Sequence, residues 1–302
     1  MRKVTFFIFI LSGFIYLMWS CNSNTDYSSN QLDNDSISKR DSLSEHTKKV
    51  KKIFYNVPSP LEMTAVIQKS GAQYKPEILN SFKVADKYVN IPQQALNLGA
   101  YGSDLSYVRL FDQIQLSINY LSAVKKLCDE LNIPEEQGSF AISRMEKNMD
   151  NKDSLLQIIT DTYSSADSYL KDNDRGNTAT LIILGGWVEA LYIATNIIVY
   201  DNPKNKDVVD RIAEQKYSLS NLIELVKCYP DDNELRTYMP SLLDLKKVFD
   251  QVKIEYIKGD VVTEKEKKLT TIHSKAIVSI DKNAFEEIKK TIVEIRKKVI
   301  SN

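Results

Sequence analysis

Glycine and proline are scarce, at 9 and 8 residues in a chain of 302. Their scarcity, beside abundant Leu, Ile, Lys and Glu, argues against a turn-rich β fold and for helices. Histidine is limited to His46 and His273, and cysteine to Cys21, Cys128 and Cys228. With no histidine pair and no cysteine cluster, neither a zinc site of the usual composition nor another metal or cofactor is expected. Net charge is also lacking: 40 basic residues face 40 acidic ones. No strong field exists to draw in nucleic acid. There is no Gly-x-Ser-x-Gly elbow and no His-Glu-x-x-His, so no catalytic residue is assigned. A pair of carboxylates working as acid and base stays open, because sequence alone cannot pair them.

Charge is absent from one stretch in particular. Arg2 and Lys3 lead into Val4–Ser20 (VTFFIFILSGFIYLMWS), which carries no charged residue and stops at Cys21. This layout predicts a lipoprotein-type signal peptide, cut between Ser20 and Cys21, with a diacylglycerol on the cysteine thiol. Ser20 fits that pattern, while Trp19 is bulkier than usual and Leu17 sits one place early. The rival is an uncleaved signal-anchor, since a spanning helix needs roughly 17–25 residues. Residues 22–50 are rich in Ser, Asn and Asp, with Tyr27, Leu32, Ile37, Leu43 and Val50 as their apolar members. Such a segment cannot offset its ordering entropy by burial, which predicts a disordered tether. The expected organisation is a signal peptide over 1–20, a lipidated Cys21 and tether over 21–52, and a helical domain over 53–302. The mature chain would lose 2 of its 40 basic residues and carry a formal net charge of −2. The expected address is the cell envelope, on the outer membrane, facing the periplasm or the surface.

The domain begins near Ile53. Ser59-Pro60-Leu61-Glu62 reads as a capped helix start that runs to Gly71. A short helix over 77–89 and another from Pro92 come next. In 104–131, Phe111, Ile114, Ile118, Leu121, Val124, Cys128 and Leu131 recur at steps of three and four and predict one helix. The same spacing predicts helices over 153–172, over 233–257 (through Phe249, Val252 and Tyr256) and over 282–300, with Asp281 as the cap of the last. Gly138, Gly176 and Gly259 fall between segments, where a left-handed cap or turn is needed. Residues 261–280 fit either a short β element or a helix. The fold class is therefore all-α, an irregular bundle of long antiparallel helices. Cys128 lies on an apolar stripe and reads as a buried thiol rather than half of a disulfide with Cys228.

Residues 178–200 (TATLIILGGWVEALYIATNIIVY) are the most apolar part of the mature chain. Glu189 at their centre argues against a membrane span and for a central helix buried all round. Gly185-Gly186 marks a close helix crossing. A buried Glu189 must be paired or protonated, and Arg109, Arg144 or Arg175 could pair with it. It reads either as a core ion pair or as a wall of a ligand pocket with Trp187 and Tyr192. A second cluster, Asn97-Leu98-Gly99-Ala100-Tyr101-Gly102-Ser103-Asp104 with Tyr107 and Arg109, reads as a bend between helices or as a close backbone approach to a ligand. The candidate binding residues are Tyr101, Asp104, Arg109, Trp187, Glu189 and Tyr192, and the lipidation residue is Cys21.

Three segments carry a resemblance. They are Phe54-Tyr55-Asn56-Val57-Pro58-Ser59-Pro60-Leu61-Glu62, Ala95-Leu96-Asn97-Leu98-Gly99-Ala100-Tyr101-Gly102-Ser103-Asp104-Leu105, and Gly185-Gly186-Trp187-Val188-Glu189. In these the chain resembles a group of envelope lipoproteins from Bacteroidetes-type bacteria with no assigned activity. The resemblance implies an envelope address and an all-α fold, and no site residue. Three functions are compatible with the residues. One is a lipid-anchored interaction or scaffold module with an envelope protein as partner. The second is a small-molecule binder with a pocket near Tyr101 and Glu189. The third is a carboxylate-dependent hydrolase.

Overall fold

In chain order the helices are α1 (Ile91–Leu110), α2 (Ile114–Glu130), α3 (Phe140–Lys147), α4 (Lys152–Asp172), α5 (Gly176–Ile197), α6 (Lys206–Lys227), α7 (Asn233–Phe249) and α8 (Lys282–Val299). Four short strands, β1 (Lys253–Ile257), β2 (Val261–Glu264), β3 (Leu269–Ile272) and β4 (Lys275–Ser279), lie between α7 and α8. The computed structural model describes residues 67, 70–134, 140–148, 151–257, 259, 261–264, 269–272 and 275–301. All of them belong to one unit, His46–Asn302. The expected signal peptide, Cys21, the tether, the helix start at Ser59-Pro60, Gly138 and His273 lie outside the described residues. The fold is all-α with a small β element.

Short polar side chains set the helix starts. Asn90 accepts the Gln93 amide at 2.9 Å, Asn151 that of Ser154 at 3.0 Å, Asp232 that of Leu235 at 2.9 Å and Asp281 that of Ala284 at 2.8 Å. Each satisfies a donor that the first helical turn leaves open. The helix ends depart from expectation. Asp112, Asn132 and Asp174 adopt φ of 55°, 51° and 58°, so Asx residues, not glycines, make these turns. Their short polar side chains tolerate the left-handed region. Gly176 instead opens α5 beneath Tyr229, whose hydroxyl would stand 2.1 Å from an added Cβ.

Four further segments depart from expectation. The 104–131 stripe belongs to two helices, because the left-handed turn at Asp112 interrupts it and the apolar spacing resumes in register after the break. The expected bend at Gly99–Gly102 does not exist, and α1 runs straight through it. The helix expected over 233–257 ends at Phe249, and Tyr256 lies in β1. Lys253-Ile254-Glu255-Tyr256-Ile257 alternates and pairs antiparallel with β4, from Lys253 opposite Ser279 to Ile257 opposite Lys275. This period of two suits a half-buried strand. β2 pairs in the same way with β3, from Val261 opposite Ile272 to Glu264 opposite Leu269. Residues 77–89 form two 3-10 turns, Pro76–Ile78 and Phe82–Lys87, rather than one helix.

The core forms around α5, which packs against α1, α4, α6 and α8. By composition α5 is apolar enough to cross a membrane, yet 83% of its most apolar window is buried within the fold. That is the state of a helix enclosed by its neighbours. α1 and α5 meet at glycine. A Cβ on Gly99 would stand 1.9 Å from the Ile182 carbonyl oxygen, and one on Gly185 1.9 Å from that of Leu96. The two backbones touch because neither residue has a side chain. Gly99 thus serves a helix crossing. Ser103 fastens the same crossing by donating its hydroxyl to the Gly186 carbonyl at 2.8 Å.

Candidate functional site

The glycine crossing brings the next turns of both helices together. One turn beyond Gly99 and Gly185, Asp104 of α1 and Glu189 of α5 come side by side in the core, both with 0% exposure. From α8, Arg296 reaches Glu189 with two parallel bonds, Nε to Oε2 at 2.7 Å and Nη2 to Oε1 at 2.7 Å. This bidentate fork is the strong form of an arginine–carboxylate pair. Nη2 also donates to the Ile78 carbonyl at 3.1 Å, which ties the segment before α1 to the same point. Tyr192, one turn past Glu189, places its ring 4.0 Å from the guanidinium carbon. The negative face of the ring favours the cation.

A belt of polar groups encloses the pair. The Tyr101 hydroxyl donates to the Ser81 carbonyl at 2.9 Å, and that of Tyr120 to the Asn80 carbonyl at 2.7 Å. The Asn80 amide donates to Asn97 Oδ1 at 3.0 Å, and Asn97 donates to the Val299 carbonyl at 3.0 Å, so α1 is also tied to the end of α8. Burial and then the charge of Glu189 push the Asp104 carboxyl well above the ordinary carboxylate range. Burial raises Glu189 as well, against the pull of the Arg296 fork. For Arg296, burial works against the charge, but Glu189 and Asp104 outweigh it and hold the group above its ordinary value.

Of the six candidate binding residues, Tyr101, Asp104, Glu189 and Tyr192 converge. Trp187 does not join them: its Nε1 donates to Gln215 Oε1 of α6 at 3.1 Å, on another face of α5. Arg109 also stands apart. It is 2% exposed, and its Nε and Nη1 have no hydrogen-bond partner. The partner of Glu189 is Arg296, not Arg109, Arg144 or Arg175. Arg296 had a signal in the sequence. It sits within the Phe285, Ile288, Ile292, Ile295, Val299 stripe, four residues after Ile292 and three before Val299, so a cation lies on the buried face.

Asp104 and Glu189 meet without exposure to solvent. They offer a sealed polar junction among α1, α5 and α8 rather than an open acid–base pair. Among the described residues no group of His, Cys, Asp and Glu could hold a metal ion. Cys128 and Cys228 form no disulfide, and burial pushes the Cys128 thiol up to about 12. A shallow hollow on α4, lined by Ser164, Ser165, Ser168 and Asp172, shares no residue with the junction. No protein family, curated protein or solved structure matches the chain.

Proposed function

We propose that this is a lipid-anchored protein of the cell envelope that acts by binding, as an interaction or scaffold module. The observation that carries the reading is the N-terminal sequence: two basic residues, an uncharged run from Val4 to Ser20, then Cys21 and a polar stretch to Val50. The thiol of Cys21 takes the lipid, and the polar stretch lets the helical body stand off the membrane. A body closed around sealed polar groups supports binding over hydrolysis, because Asp104 and Glu189 offer no exposed carboxylate to a substrate. The test is fractionation of cells carrying the wild-type chain and Cys21→Ala, combined with in-cell crosslinking. The wild type is expected in the membrane pellet with a reproducible crosslinked partner, and the variant in the soluble fraction. A variant that stays in the pellet after an alkaline wash favours the uncleaved signal-anchor.

A second reading, a small-molecule binder, is supported by Arg109. A buried guanidinium with Nε and Nη1 unpaired lacks acceptors that an anionic ligand would supply. Native mass spectrometry of the full chain tests it. Extra mass that is lost on denaturation and missing from Arg109→Met favours the ligand, and a bare wild-type mass counts against it.

A further inference from the structure

We propose that Asp104 and Glu189 share a single proton, and that this proton fastens α1 to the α5–α8 pair as a pH-sensitive lock inside the fold. Two carboxyl groups and one guanidinium meet in the core, and both carboxyl groups are fully buried. The guanidinium is committed elsewhere, with Nε and Nη2 on Glu189 and Nη2 also on the Ile78 carbonyl. Neither oxygen of Asp104 has a partner of good hydrogen-bond geometry, and the backbone N–H of Asn80 is the donor that lies nearby. An ionised Asp104 would add a second buried negative charge beside Glu189, against a single guanidinium whose hydrogen bonds are already committed, which proteins avoid at a cost of several kcal/mol. One proton removes the conflict. Asp104 then donates its O–H to the Glu189 carboxylate, whose charge Arg296 already balances.

Among the described residues, no side-chain donor makes a hydrogen bond to Asp104 in place of that proton. α1 contributes Tyr101 and α2 contributes Tyr120, and both hydroxyls donate to backbone carbonyls, not to Asp104. The segment before α1 contributes Tyr74, Asn80 and Tyr88, of which the Tyr74 hydroxyl has no partner. α5 contributes Glu189 and Tyr192, and α8 contributes Arg296. Arg296 is the one cation among these described groups. Loss of the proton leaves two carboxylates facing each other across the α1–α5 crossing, where the glycine contacts leave no slack.

The sign follows from the direction in which Asp104 is shifted. The folded chain holds the proton above the ordinary value of 3.8, whereas the unfolded chain releases it there. Above that value the unfolded state binds fewer protons than the folded state, so stability falls as pH rises until the folded group has titrated. The lock is tightest in acid and loosens towards alkali.

Infrared difference spectroscopy of the full chain against pH tests this, paired with denaturant unfolding. At neutral pH the wild type is expected to show the C=O stretch of a protonated carboxyl. That band fades on alkaline titration while the unfolding midpoint drops over the same range. Asp104→Asn keeps the shape and a donor to Glu189 but has no proton to lose, so it lacks the band and its midpoint is flat there. A wild type with no such band at neutral pH overturns the proposal, whether or not the variant folds. So does a variant whose midpoint follows the same pH slope as the wild type.

Discussion

Gly185 on α5 faces the Leu96 carbonyl of α1 so closely that a Cβ there would stand 1.9 Å from the oxygen. The contact is backbone on backbone, so no side chain can yield to it. Substitution here must part the two helices, and Asp104, Glu189 and Ser103 would move apart with them. Gly185→Ala is expected to destabilise the fold by about 3 kcal/mol or more, at the overpacking extreme. Gly71→Ala is the control. Gly71 has φ +70° and nothing within 4 Å, so only backbone strain acts there, about 1 kcal/mol. Urea midpoints of the two variants check the difference, and equal losses would contradict a tight crossing.

Among the described residues, Arg296 supplies the only cation at the junction. Its removal leaves Glu189 buried and unbalanced. Arg296→Met is expected to cost about 3–5 kcal/mol, whereas the double variant Arg296→Met with Glu189→Gln recovers a large part of that loss. A double-mutant cycle by chemical denaturation measures the coupling. Strict additivity would mean that the fork contributes nothing to the fold.

Cys128 is buried and its thiol is pushed up to about 12, while Cys228 is partly exposed. A maleimide reagent at neutral pH is therefore expected to label Cys228 in the native chain and Cys128 only after unfolding, since the thiolate is the reactive form. The position of each label by peptide mass spectrometry decides it. Rapid native labelling of Cys128 would place that helix face in solvent.

Most helices were legible because their apolar residues repeat at three and four. The stripe over 282–300 and its Asp281 cap match α8 almost to the residue, and the apolar run with Glu189 matches α5. What failed has a physical reason in each case. Apolar spacing carries on in register past Asp112, so a stripe cannot reveal a turn that an Asx residue makes at positive φ. Val252 and Tyr256 prolong the α7 stripe, yet β4 is a better partner for 253–257, and that partner lies some twenty residues away in sequence. At the junction, Glu189 was legible as a charge stranded in an apolar run. Its partner was not, because Arg296 is 107 residues distant and pairing depends on how α5 and α8 pack. Trp187 sits two residues from Glu189, and that spacing sends it to the opposite side of the helix, onto Gln215.

Intact-mass and peptide mass spectrometry of the membrane-extracted chain decide the address of the protein. The expected N-terminal peptide begins at Cys21 and carries a diacylglyceryl group with an acylated amine. A peptide that runs uncut through Val4–Ser20, with an unmodified Cys21, would contradict it.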